Sequence, residues 1–324
     1  MTELQPILTV ADLAKHFTVC TAGGIQNTVK AVDGVSFEIQ RGETMSLVGE
    51  SGCGKSTTGR LILRLLKATA GQVRFEGADV LSANKKQVQT FRRQMQFIFQ
   101  DPFAALNPKM TVGDIVREPL DIYQVGSGTE RIRQTIKLLE TVGLSRQQAD
   151  RYPAEFSGGQ RQRVCIARAL ALQPKLVICD EPVSALDVSI QAQIINLLRD
   201  LQEEFQLTYL FISHDLSVVK HISDRVAVMY LGKIVEIAAK ETLFAAPAHP
   251  YTQALLSAIP VPNPKIKRKR ILLEGEAPNP INPPQGCQFC TRCPQAQAIC
   301  YQIPPVFCRV GTGQMAACHL LKSA

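Results

Sequence analysis

Nine consecutive residues, Gly49-Glu50-Ser51-Gly52-Cys53-Gly54-Lys55-Ser56-Thr57, constrain this chain more than any other stretch. Their spacing, G-x-x-x-x-G-K-[ST], is that of a phosphate-binding loop. The flanks agree. Thr44-Met45-Ser46-Leu47-Val48 is short and mostly apolar, as a buried parallel strand is. After the loop, Arg60 to Leu66 reads as a continuing helix with apolar residues at Leu61, Ile62, Leu65 and Leu66. Glycines let backbone N–H groups turn inward around a polyphosphate, and the helix N-terminus adds partial positive charge. Lys55 is placed to reach the β- and γ-phosphates, and Ser56 to ligate Mg2+.

Upstream, Ile7-Leu8-Thr9-Val10 and Ala31 to Ile39 alternate partially, as strands of a half-buried antiparallel sheet do. Phe17 between them is either a core residue or an aromatic that stacks on a base. Downstream, Gly71 to Gly77 is a short strand between turns, and Gln94 to Pro102 holds another that ends in Gln100 at a loop. Thr129 to Gly143 has the period of an amphipathic helix, with Ile132, Ile136, Leu139 and Val142 on one face. It reads as part of a helical insertion over about 101–168 in an α/β domain. Phe156-Ser157-Gly158-Gly159-Gln160 opens a long helix through Ala171. Leu176-Val177-Ile178-Cys179 is a buried strand that ends in Asp180-Glu181, and ligands bind beyond the carboxyl ends of such strands. Asp180 suits Mg2+ and Glu181 suits a proton acceptor for an attacking water. Tyr209 to Ser213 is a further buried strand followed by His214, which would contact a γ-phosphate or serve structurally.

Taken together, these residues resemble the ATPase subunit of an ATP-binding-cassette (ABC) transporter over about residues 7–260. Gly49 to Thr57 matches the Walker A loop, Gln100 the Q-loop, and Ser157-Gly158-Gly159-Gln160 the signature, with Phe156 where leucine is commoner. Asp180 and Glu181 match Walker B and its catalytic glutamate, Ser184-Ala185-Leu186-Asp187 the D-loop, and His214 the switch histidine. Phe17 sits where the family places its adenine-stacking aromatic. The resemblance implies an α/β P-loop core with an antiparallel β subdomain and an inserted helical subdomain, together spanning 1–258. It implies ATP and Mg2+ as ligands, with Mg2+ near Ser56, Gln100 and Asp180, and Glu181, His214 and Gln100 as the catalytic group. It also implies head-to-tail pairing of two cassettes, so that Ser157, Gly158, Gly159, Gln160 and Asp187 face the nucleotide of a partner. One cassette without sustained heptads argues against a soluble relative acting on DNA or ribosomes. Intact Glu181 and His214 argue against a non-hydrolysing subunit.

The C-terminal part narrows the resemblance to the oligopeptide/dipeptide/nickel importer group, nearest to the dipeptide-permease ATPase subunits. His249-Pro250-Tyr251-Thr252-Gln253-Ala254-Leu255-Leu256 carries it, as do Gly286-Cys287, Arg292-Cys293-Pro294, Cys300 and Ala317-Cys318-His319. Expected partners are two membrane permease subunits, a paralogous ATPase subunit and, indirectly, an extracytoplasmic solute-binding protein, with no nucleic acid. The cargo is a di- or oligopeptide, with nickel or glutathione as alternatives. The expected location is peripheral, on the cytoplasmic face of the cell membrane. No basic and apolar leader opens the chain, and no apolar run approaches the ~20 residues of a membrane span. The net charge of +8 permits an anionic surface nearby.

Residues 259–324 read as a proline-rich linker and a small cysteine-rich extension. The basic run Lys265-Ile266-Lys267-Arg268-Lys269-Arg270 is a solvated linker or a contact for anionic lipid. Six of the ten cysteines lie between Cys287 and Cys318, which in a reducing compartment suggests metal before disulfides. The tail shows little helix or strand pattern of its own, so a metal would be a staple. The family resemblance points to Cys287, Cys293, Cys300 and Cys318 as ligands of a [4Fe–4S] cluster. Zinc is the rival, since Cys290-x-x-Cys293 has the spacing of half a zinc knuckle, and a metal-free tail also stays open. Cys290 and Cys308 lie outside the four-cysteine pattern.

Overall fold

A computed structural model describes residues 5–20, 26–259, 270–273, 275, 278–279, 281 and 283–321. The chain forms two compact units, Met1–Ser82 with Ile212–Ala324, and Ala83–Phe211. In the first, β1 (Leu8–Cys20) and β2 (Gln26–Ile39) pair antiparallel, from Leu8 opposite Ile39 to Cys20 opposite Gln26. Burial along the end of β2 alternates as expected, with Val35, Phe37 and Ile39 inward and Ser36 and Glu38 outward. Strand β3 (Thr44–Val48) is buried at every residue, and helix α1 (Lys55–Ile62) follows the glycine loop. With β4 (Ala70–Phe75) and β5 (Ala78–Asp79) a four-stranded sheet closes in the order β2-β1-β4-β5.

Helix α1 is shorter than the sequence pattern predicts. Arg64 takes a left-handed φ of 52°, its N–H bonds the Leu61 carbonyl, and the Leu65 N–H reaches back to Arg60. This pair of reverse bonds closes the helix before Leu65 and Leu66. Leu65 is exposed as a result.

The second unit contains α2 (Lys85–Gln94), β6 (Met95–Ile98), α3 (Pro102–Ala105), α4 (Val112–Ile122), α5 (Gly128–Thr141), α6 (Gly158–Leu170), β7 (Leu176–Asp180) and α7 (Val188–Phe205). Strands β6 and β7 run parallel, with Met95 opposite Leu176 and Ile98 opposite Cys179. Helices α4, α5 and α6 pack on one another. The amphipathic helix forms as expected, and Ser127 and Glu130 cap it reciprocally. Its buried stripe is Thr135, Leu138 and Leu139 with Val142, however, and Ile132 is 52% exposed. Ile132 lies in the first turns of α5, and burial begins one turn later.

Strand β8 (Thr208–Ser213) carries the chain back to the first unit. There follow α8 (Leu216–Ile222), β9 (Arg225–Tyr230), β10 (Lys233–Ala239), α9 (Lys240–Ala245), α10 (Pro250–Ser257), α11 (Ala298–Gln302), β11 (Phe307–Gly311) and β12 (Gln314–Ala317). Within this unit the strand order is β11-β12-β10-β9-β3, with β3 and β9 parallel.

The tail departs from the patternless extension expected of it. Its hairpin β11–β12 joins β10, with Glu236 opposite Ala316 and Ile237 opposite Met315. Phe289 from the tail is buried in one cluster with Val48, Val228, Tyr230, Tyr251 and Leu256. A lone aromatic among cysteines carries no periodicity, so its burial has no sequence signal. Residues Lys265 to Lys269 of the basic run lie outside the described residues.

Candidate functional site

The glycine loop is shaped by close backbone approach. Gly49 has φ 154° and Gly54 φ 107°, and a Cβ on either would lie 2.1 Å from a carbonyl oxygen, of Met229 and Ala31 respectively. Only glycine fits there. The Cys53 carbonyl accepts a bond from the Gly232 N–H at 2.9 Å, so the β9–β10 turn backs the loop. Lys55 is 4% exposed, and its Nζ donates to the carbonyls of Gly49 at 2.8 Å and Glu50 at 2.9 Å. Burial pushes the neighbouring Cys53 thiol up, so it stays protonated. Ser56 and Thr57 are half-buried in the first turn of α1, and Ser51 and Gly52 are exposed on the loop. Phe17 is half-buried in β1, with the Lys15 ammonium 4.9 Å from its ring centre.

In the second unit, parallel pairing of β6 with β7 brings two separate stretches together. Gln100 Nε2 donates to Glu181 Oε2 at 2.8 Å across 81 residues of sequence. Asp180 ends β7 and is 1% exposed. Glu181 takes a left-handed φ of 47°, which a non-glycine residue adopts at some cost. Its carbonyl accepts from the Ser184 N–H at 3.2 Å and the Ser184 hydroxyl at 3.1 Å, which holds the turn.

Ser157 caps α6. Its Oγ accepts from the Gln160 N–H at 3.3 Å, and Gln160 Oε1 accepts from the Ser157 N–H at 3.0 Å. A Cβ on Gly159 would lie 2.5 Å from Ile190 Cγ2, and one on Gly158 would lie 3.2 Å from Leu186 Cδ2. These glycines therefore leave room for Leu186 and Ile190, which flank the exposed Asp187 at the start of α7. His214 follows β8 and is exposed, and Asp215 beside it caps α8.

Cys287, Cys290, Cys293, Cys300, Cys318 and His319 line one small cavity. The Cys287 N–H donates to the Cys300 carbonyl at 2.7 Å. Burial, and to a lesser extent neighbouring thiols, push the Cys287 thiol up to about 11. Cys308 stands apart in β11, its S–H directed at the Ala316 carbonyl at 3.8 Å. Among the described residues, no three His, Cys, Asp or Glu side chains are gathered as a metal-holding group. The four cysteines expected as ligands thus share a cavity without forming a coordination sphere.

Residues 32–184 match the family profile described as ABC transporter, and residues 235–300 match the one described as oligopeptide/dipeptide transporter, C-terminal region. Over 322 residues the chain is 54% identical to the oligopeptide transport ATP-binding protein AppF of Bacillus subtilis (strain 168), covering 98% of each. The chain belongs to the ABC transporter family, as an ATP-hydrolysing subunit. This cassette is also 54% identical over 318 residues to a putative peptide import ATP-binding protein of Brucella ovis, covering 98% of each chain. Among solved structures, the cassette MJ0796 bound to ADP and Pi matches with TM-score 0.64 and 30% identity, over 72% of this chain and 98% of that one. CbiO1 from Clostridium perfringens matches with TM-score 0.64 and 27% identity, over 74% and 91%.

Sequence reasoning missed what lies behind the loop of this cassette. Tyr251 OH accepts from the Glu50 N–H at 3.0 Å, and the Tyr230, Tyr251 and Phe289 rings pack with centroids 4.7 to 5.3 Å apart. The adjacent His249 is buried, and its Nδ1 accepts from the Tyr251 N–H at 3.0 Å, which caps α10. Burial pushes its imidazole down to about 4 from 6.5. The unfolded chain therefore takes up this proton below 6.5, whereas the folded cassette refuses it until about 4. Stability present above pH 6.5 is lost as pH falls through that window, by about 3 kcal/mol at its lower end. Thermal midpoints of the parent and of His249→Asn, which keeps a cap acceptor but does not titrate, check this. The parent should lose more stability between pH 7 and pH 5, and equal losses would contradict it.

Proposed function

We propose that this cassette hydrolyses ATP to drive uptake of di- and oligopeptides through two membrane permease subunits. The observation that carries the reading is the union, in one chain, of a cassette profile at 32–184 and an oligopeptide/dipeptide transporter region at 235–300. In this reading Phe17 stacks on adenine. Lys55 and the N–H groups of the loop from Gly49 to Thr57 bind the phosphates. Ser56, Gln100 and Asp180 would hold Mg2+, which would supply charge neutralisation on the phosphates. Glu181 takes the proton of the attacking water, Gln100 senses the γ-phosphate and passes its state to a permease docked near the helical insertion, and His214 contacts the γ-phosphate. Ser157, Gly158, Gly159, Gln160 and Asp187 act on the nucleotide of a paralogous cassette packed head to tail.

Phe103, Ile122 and Ile132 are exposed apolar side chains of the helical unit, which suits docking on permeases at the cytoplasmic face of the membrane. The cargo arrives from an extracytoplasmic solute-binding protein. The test is ATPase activity of the cassette co-assembled with its permeases in liposomes. Stimulation by binding protein loaded with a dipeptide is expected. Stimulation by nickel or glutathione alone would overturn the peptide assignment.

The tail extends this reading. Cys287, Cys293, Cys300 and Cys318 line one cavity with soft sulfur donors, which as thiolates would hold a [4Fe–4S] cluster, with Zn2+ as the alternative. Such a metal would tie the tail segments together. Metal analysis of anaerobically purified protein decides it. About four irons per chain with broad visible absorbance is expected. Stoichiometric zinc would replace the cluster in this proposal, and neither metal would remove it.

A further inference from the structure

Glu50, the first residue inside the phosphate loop, is held at three points. Its N–H is fixed by Tyr251 OH, its carbonyl by Lys55 Nζ, and its carboxylate by a residue of the tail. That residue is Arg292, whose Nη1 lies 2.8 Å from Glu50 Oε2 and Nη2 3.2 Å from Glu50 Oε1. The fork geometry is bidentate, and the two residues are 242 apart in sequence. The Arg292 side chain is only 10% exposed, with Tyr230 OH 3.5 Å from Nη1. Arg292 springs from a rigid base. Its N–H donates to the Phe289 carbonyl at 3.1 Å, and the Phe289 ring is packed on Tyr230 and Tyr251. It stands between Cys290 and Cys293, both of which line the cysteine cavity.

We infer that Arg292 is a positioning residue for ATP binding, by which the cysteine-rich tail holds Glu50 and the loop around it in the phosphate-ready shape. The inference rests on this loop being the ATP site. Two physical effects combine. A carboxylate at the edge of a polyphosphate site repels its ligand, and a paired guanidinium neutralises that charge. The fork also restrains the residue whose carbonyl Lys55 leans on, so less ordering is left for ATP to accomplish. Glu50 is 32% exposed, so solvent screens the pair and its contribution to global stability is small. Its effect belongs in nucleotide affinity.

The test uses the full chain, with a fluorescent ATP analogue for Kd and steady-state ATP hydrolysis for KM and kcat. Arg292→Gln should raise Kd and KM about tenfold with little change in kcat. Adding Glu50→Gln to Arg292→Gln should restore much of the lost affinity, because the unpaired carboxylate is then gone. A residue that merely docks the tail would not be rescued in this way. An unchanged Kd in Arg292→Gln, or no rescue in the double variant, overturns the inference. If Arg292→Gln does not fold, Arg292→Lys carries the test, since it keeps the charge and stem without the fork. A smaller rise in Kd is then expected, and no rise overturns the inference. Lys55→Ala run in parallel separates the two levels. Normal binding by that variant would remove the ATP-loop reading itself, whereas lost binding there with an unchanged Arg292→Gln removes only the role of Arg292.

Discussion

Glu181→Gln should lower ATP turnover about 10^2- to 10^4-fold while ATP binding is retained, the range expected when a positioned general base is lost. The amide has the shape of the carboxylate and still accepts a hydrogen bond from Gln100 Nε2, which lies 2.8 Å from Glu181 Oε2. The left-handed backbone of Glu181 and the two bonds from Ser184 to its carbonyl do not depend on the side chain. The substitution therefore removes a proton acceptor and little else. Steady-state phosphate release and equilibrium ATP binding, measured on one preparation, separate the two effects. Turnover like that of the parent would show that another group takes the proton.

A loss of nucleotide binding of about 100-fold or more is expected of Lys55→Ala, since charge-assisted bonds are worth about 1.5–3 kcal/mol each. Two structural effects add to it. The buried ammonium bonds the carbonyls of Gly49 and Glu50, so it offsets the negative ends of two carbonyl dipoles within the loop. Its removal also leaves those two carbonyls without their donor inside a loop shaped by Gly49 and Gly54. Titration with ATP checks the loss, and thermal unfolding of the same sample establishes that the fold survives. Undiminished affinity would place the phosphate site elsewhere.

The loop was legible in the sequence because its chemistry is local. Gly49, Gly54 and Lys55 act within one turn of chain, so spacing alone conveys the arrangement. The buried strands β3 and β7 were legible for a related reason, since a strand buried on both faces is a short apolar run. Helix ends were less so. The Arg64 closure of α1 and the late start of the buried stripe on α5 depend on backbone reversal and on neighbouring helices, neither of which residue type encodes. The tail was the least legible. Its cysteines suggested a small appendage, whereas Phe289 lies in the core and β12 extends a sheet through β10.

Residue order alone therefore conveys a strand, glycine loop and helix in succession, a carboxylate pair at a strand end and the opening of α6 after Ser157, because each is built from neighbours in the chain. The Gln100–Glu181 bond, the capped and buried His249 and the Arg292–Glu50 fork exist only once distant segments are packed. Their partners are chosen by strand pairing and by burial of the Tyr230, Tyr251 and Phe289 rings, and those forces act on surfaces that form only in the folded chain.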